Sequence, residues 1–138
     1  MILLGIMRRI VIRIEMHKLE KIDINLHVKS LEETFIWYKR VLGWESGCDQ
    51  TNDRGECLFG DVHYSYEPFI GFNLVKSESN NLPYGFHPLI KTTNIEELYN
   101  EVKTKNIEIV SELSNQPWGK TFKISDYNGF ILEFWSEY

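Results

Sequence analysis

The side chains able to do chemistry are few and far apart in this chain. It holds four histidines, His17, His27, His63 and His87, and two cysteines. No serine or cysteine nucleophile can be matched to a base, because separation in sequence says nothing about distance in space. Cys48 and Cys57 form no CxxC pair and no disulfide framework, which suits a reducing cytoplasm in which thiols act as small buried apolar groups. More informative are four positions that become equivalent and inward-facing when the chain is aligned on itself: Asp23, Phe72, His87 and Glu133. Rings surround them. Trp135 shares strand parity with Glu133, Phe72 with Ile70 and Leu74, and Trp118 lies in a loop beside the final hairpin. His27 projects to the same face as Asp23 and could hydrogen-bond a substrate. His27, Phe72, Trp118 and Trp135 are therefore the substrate-binding candidates, since flat or cationic molecules bind well between aromatic faces. Trp37 and Trp44 flank a helix and read as core. His17 precedes the repeat, and His63 sits in a stretch, Asp61 to Tyr66, that reads as a hairpin, as part of a third strand or as an excursion.

The elements that must position these residues come in two copies. Ser30 can cap a helix while Glu33 reaches back to it; Leu31, Phe35, Tyr38 and Leu42 fall on one face, and Gly43 ends it. Asn94 and Glu97 repeat the device before Ile95, Leu98 and Val102. A displacement of 64 places Leu31 on Ile95, Phe35 on Tyr99 and Asp23 on His87. Each helix follows an alternating strand, Ile22 to Val28 or Phe86 to Lys91, with Asp23, Asn25 and His27 facing away from the helix in the first. Tyr66 to Ile70 lies over Tyr127 to Ile131 at a displacement of 61, which puts Phe72 on Glu133. Shorter strands are expected at Glu45 to Cys48, Glu56 to Phe59, Ile107 to Ser111 and Lys120 to Ile124, between turn-prone loops.

Composition narrows the partners. The 138 residues are 43% hydrophobic and 25% charged, enough for one domain or two small modules sharing a core. No apolar run approaches the roughly 20 residues of a membrane helix. A net charge of -5 argues against nucleic acid, which needs clustered Lys and Arg. The charge is uneven: residues 1–22 hold five basic and two acidic side chains (+3), and residues 23–138 hold ten basic and eighteen acidic (-8). The basic prefix is not a secretory signal, because Arg8 and Arg9 follow its apolar stretch. Residues 9–15 alternate like an edge strand, and Met16 reads equally as the start of the domain; residues 1–16 are set apart as an extension.

A doubled strand-helix-three-strand unit, with Leu31-Glu-Glu-Thr-Phe-Ile-Trp-Tyr-Lys-Arg-Val-Leu-Gly-Trp44 in its first half and Gln116-Pro-Trp-Gly-Lys-Thr-Phe-Lys-Ile-Ser-Asp-Tyr-Asn-Gly-Phe-Ile-Leu-Glu-Phe134 at its end, closely resembles the vicinal-oxygen-chelate superfamily of glyoxalases, bleomycin-resistance proteins and extradiol dioxygenases. The resemblance implies an α+β fold of two βαβββ modules, about residues 20–76 and 84–138 within a domain of 17–138, whose curved mixed sheets form a cup with the helices outside. It implies a homodimer. It further implies metal ligands at Asp23, His87 and Glu133, with Phe72 standing where a fourth ligand would be. Two functions follow from it. One is a lyase or isomerase that uses a divalent ion (Mn, Mg, Fe, Ni or Zn) on a substrate with vicinal oxygens, with Glu133 as ligand and catalytic residue. The other is a metal-free protein that sequesters an aromatic or cationic small molecule. A cytoplasmic location is expected for either.

Overall fold

The computed structural model describes residues 24–78 and 86–138. Asp23, His17 and the whole extension lie outside the described residues.

Within the first module, β1 (Asn25–Val28), α1 (Leu31–Leu42), β2 (Glu45–Thr51), β3 (Cys57–Tyr66) and β4 (Phe69–Lys76) follow in order. The second repeats them as β5 (Leu89–Lys91), α2 (Ile95–Lys103), β6 (Ile109–Gln116), β7 (Gly119–Ser125) and β8 (Ile131–Ser136). The sheets run β1-β4-β3-β2 and β5-β8-β7-β6. In each, the first strand is parallel to the last and the other pairs are antiparallel. The α+β architecture of two βαβββ units expected from the repeat is the one observed, with the two four-stranded sheets not closed into a barrel.

Local chemistry sets the helices. Ser30 is extended and its hydroxyl accepts the Glu33 N–H at 3.2 Å, satisfying one of the orphan donors of the first turn. Gly43 closes α1 at φ 73°, a left-handed conformation that costs glycine little. Asn94 does not cap α2 as expected; its amide instead hydrogen-bonds the Glu97 carboxylate, so the carboxylate takes up the side chain that would have met the backbone.

The apolar stripe of α1, Leu31, Tyr38 and Val41, is fully buried on Leu26, Val28, Val62, Phe72 and Leu74 of its sheet. In the second module Ile95, Tyr99 and Val102 lie on Phe122, Ile124, Leu132 and Phe134. Each such side chain contributes roughly 1.5–3 kcal/mol relative to exposure. The alternate strand positions form the opposite, open face of each sheet.

The modules share a seam. Phe72 meets Phe86 edge-on at 5.6 Å and 87°, and Phe86 meets Phe130 at 5.7 Å and 83°. Beside it the Tyr38 hydroxyl donates to Asp126 Oδ2 at 2.8 Å, while the Asn128 and Phe130 N–H groups donate to Oδ1 at 2.9 and 2.8 Å. Burial pushes the Asp126 carboxyl up, against the pull of those donors, and pushes the Tyr38 hydroxyl well above its ordinary range. Asn128 also donates to Thr34 of α1 at 3.0 Å.

Two expectations are corrected. Cys48 and Cys57 form a disulfide with Cα atoms 6.1 Å apart, because the β2–β3 hairpin, with its irregular register between Cys48 and Thr51, brings the two strands together there. The inference from free thiols to a reducing compartment therefore falls. The stretch Asp61 to Tyr66 is the continuation of β3, which runs to ten residues where four were expected.

Candidate functional site

The parallel ladders define which residues are true counterparts. Asn25 pairs with Asn73 in the first module, and Leu89, 64 positions after Asn25, pairs with Glu133 in the second. Asn73, not Phe72, is thus the structural counterpart of Glu133. Phe72 lies one residue out of phase and faces α1, buried against Tyr38 and Trp44 at ring-centroid distances of 6.3 and 5.8 Å. The displacement of 61 that aligned the hairpins is one residue out on the strands, because the connection between β3 and β4 is two residues long and that between β7 and β8 is five.

On the open face of the second module, His87 Nε2 lies 2.9 Å from Glu133 Oε1. The Thr121 hydroxyl lies 2.6 Å from Glu133 Oε2 and 3.0 Å from the Phe134 carbonyl, and its single proton serves the carboxylate best. Both oxygens of a carboxylate only 13% exposed are therefore engaged, while His87 stays partly open to solvent. Two residues on, Trp135 meets Trp118 edge-to-face at 5.6 Å, and Trp118 is 49% exposed. The Lys91 ammonium, ion-paired with Glu137 at 3.1 Å, stands 5.0 Å from the Trp135 ring centroid.

The expected residues are thus distributed as follows. His87 and Glu133 come together, with Trp135 and Trp118 beside them. His27 is exposed on the open face of the first sheet, and Phe72 is in the core. Thr121, the third member of the cluster, was missed, although its odd-numbered parity with Lys123 on β7 was a usable signal.

A cleft of about 320 Å³ opens elsewhere, at the helix side of the junction between modules, lined by Trp44, Tyr64, Ile70, Ile90, Leu98 and Phe134 among others. It contains neither His87 nor Glu133; its lining is mostly apolar, with Lys91, Thr92, Thr93 and the Tyr64 hydroxyl as its polar members.

The fold family implies a divalent ion. Among the described residues no group of three or more His, Cys, Asp or Glu side chains converges. His87 and Glu133 supply two donors that are hydrogen-bonded to one another, and the counterpart position holds the amide of Asn73. The described residues do not by themselves fit a metal centre, which normally draws on three protein ligands or more.

Fold and motifs together define the class. The chain matches the Glyoxalase/Bleomycin resistance protein/Dioxygenase superfamily over residues 22–134 and belongs to it. Among solved structures it is similar to a glyoxalase-related enzyme from Clostridium phytofermentans, at 23% identity and a TM-score of 0.76 over 90% of this chain and 99% of that one. It is similar also to TnmS3, an antibiotic binding protein from Streptomyces sp. CB03234, at 16% identity and a TM-score of 0.69 over 88% and 100%. A third is TioX from Micromonospora sp. ML1, at 16% identity and a TM-score of 0.67 over 86% and 97%. At these identities the likeness is one of fold. No curated protein matches the chain.

Proposed function

We propose that the protein binds a flat, cationic small molecule without a metal ion, on the open face of its second module. The observation that carries this is the pairing of a half-buried, doubly hydrogen-bonded Glu133 carboxylate with the Trp118–Trp135 edge-to-face pair on the same sheet face. A fixed anion beside indole faces attracts a planar cation electrostatically and through the ring quadrupole, by about 0.5–2 kcal/mol per ring contact. The chain's own Lys91 already takes such a position over Trp135. An antibiotic binding protein among the structural neighbours is consistent with this use of the fold. Pairing of two copies, expected from the family, would enlarge such a surface.

A second reading has one specific observation behind it, the approach of His87 Nε2 to Glu133 Oε1. With Asp23 as a third donor, these residues would hold a divalent ion, which would stabilise an enolate or alkoxide developing on a substrate with vicinal oxygens. Glu133 would then be both ligand and catalytic residue.

One experiment separates the two. Protein treated with chelator is titrated with planar aromatic cations and with neutral rings of the same shape while tryptophan fluorescence is followed, and metal content is measured on untreated protein and on Glu133→Gln. Quenching by cations in the chelated protein, weakened in Glu133→Gln and abolished in Trp135→Ala, supports sequestration. Stoichiometric metal that disappears in Glu133→Gln, with no binding after chelation, supports the metal-dependent reading and ends the first.

A further inference from the structure

The open face of the second sheet holds a cation that the proposed function does not use. On β7, Phe122 and Ile124 are fully buried on the side of α2, where Tyr99 meets Phe122 at 5.1 Å, so Thr121 and Lys123 point to the opposite side. Lys123 is the cross-strand partner of Glu133 on β8, and Thr121 is the partner of Trp135. On its other side Lys123 is paired in register with Ser111 of β6. Ser111, Lys123 and Glu133 therefore form one row across the sheet, with Thr121 and Trp135 in the next.

Opposite charges facing one another on antiparallel strands ordinarily attract and pair. Lys123 and Glu133 do not. Glu133 is engaged by His87 at Oε1 and by Thr121 at Oε2. Among the described residues the Lys123 ammonium forms no hydrogen bond or ion pair, and the Ser111 hydroxyl has no partner either. The other strand lysines behave differently. Lys76 holds Glu56 at 3.4 Å, Lys91 holds Glu137 at 3.1 Å, and Lys120 holds Glu96. Lys123 is half-buried, as Lys120 is, yet it has no carboxylate to release before it takes another.

An ammonium and a hydroxyl on neighbouring strands, both unengaged, form a donor pair for an acid. A free anion is poorly served there, because Glu133 is adjacent and the chain carries a net charge of -5. The acid is better delivered on a molecule whose other end is the cation that the indoles attract. The spacing suits one such molecule. Lys123 and Trp135 are diagonal neighbours across two antiparallel strands, which puts them about 8 Å apart. A ring substituted at both ends spans that diagonal once the length of the lysine side chain is counted.

We propose that Lys123, with the Ser111 hydroxyl beside it, anchors an acidic group on the guest, so that the ligand of the second-module face is a planar aromatic zwitterion, cationic at Trp118 and Trp135 and anionic toward β6. This rests on the reading of that face as a surface for planar cations and adds a second pole to it.

The test uses the intact, chelator-treated protein and two probes that differ only in the acid. One is 4-amidinobenzoate. The other is its methyl ester, which keeps the ring and the amidinium and has no negative charge. Each is titrated while tryptophan fluorescence is followed. The acid binds about threefold to fivefold more tightly than the ester, the value of one partly exposed ion pair. Lys123→Met, which keeps most of the apolar stem, removes that preference, and Ser111→Ala reduces it. An ester that binds the wild type as tightly as the acid does overturns the proposal and leaves the planar-cation reading standing, and this comparison needs no variant to fold. A Lys123→Met protein that still prefers the acid overturns the proposal as well. If neither probe quenches the fluorescence, the planar-cation reading fails and the zwitterion proposal falls with it.

Discussion

Replacing Tyr38 by phenylalanine removes one oxygen from the seam between modules and little else. The ring stays packed against Trp37, Trp44 and Phe72, while Asp126 Oδ2 loses its donor and Oδ1 keeps the two backbone N–H groups. A hydrogen bond to a charged acceptor is worth roughly 1.5–3 kcal/mol. The expected loss is therefore about 2 kcal/mol at pH 8, near 6 °C in Tm for a domain of this size. The pH dependence carries the sharper test. Because the folded Tyr38 hydroxyl is held well above its ordinary value of 10.0, the stability it confers is complete below pH 10 and is lost as pH rises, since only the unfolded chain releases that proton. By pH 11 the wild type has lost about 1.4 kcal/mol from this residue, and the variant has no such group to lose. Urea denaturation of both proteins from pH 8 to pH 11 should show the gap shrinking from about 2 to about 0.6 kcal/mol, with every other tyrosine cancelling in the difference. A gap that stays constant across that range would show that Tyr38 titrates alike in both states, and the burial argument would fail.

Three other outcomes are expected. Cys48→Ser opens the disulfide of the β2–β3 hairpin, a loop small enough that the loss should be about 2.5 kcal/mol by chain entropy; reductant should lower the wild-type Tm to that of the variant, and an unchanged Tm would contradict the bridge. Glu32 is held below its ordinary range, chiefly by the Cys57 N–H that it accepts at 2.6 Å, so the stability it confers is present above pH 4.5 and is lost as pH falls through the folded value. Thermal melts from pH 6 to pH 3 should thus fall more steeply for wild type than for Glu32→Gln. Asn128→Ala cuts the link to Thr34 and should cost about 1 kcal/mol without altering cation binding at Trp135, as measured by fluorescence titration.

The parts of the fold that were legible in the sequence are those decided locally. Ser30 and Gly43 bound α1 because capping is a matter of a few adjacent residues, and the alternation of β1 and β8 follows from strand geometry. The approach of His87 to Glu133 follows from an alternation that runs undisturbed into β5 and along β8. Phe72 was misplaced because β3 turns into β4 through Glu67 and Pro68 alone while β7 turns into β8 through residues 126–130, so a displacement read from the hairpins is one residue out on the strands, and one residue of slip exchanges the two faces of a strand. The disulfide was missed for a related reason, since the β2–β3 register shifts between Cys48 and Gln50 and again before Thr51. The contact between Asp61 and His63 was not legible because Gly60 and Ser65 interrupt the apolar alternation of β3, although Val62 between them kept the parity intact.

The seam of Phe72, Phe86 and Phe130 has a mechanical meaning. Each ring meets the next at nearly a right angle, 87° and then 83°, so the line of three behaves as a set of interlocked wedges and not as a sliding stack. The tilt of one sheet against the other is consequently gauged by ring dimensions. Shaving one of these rings would loosen the join between the sheets while leaving every polar group on either sheet as it was.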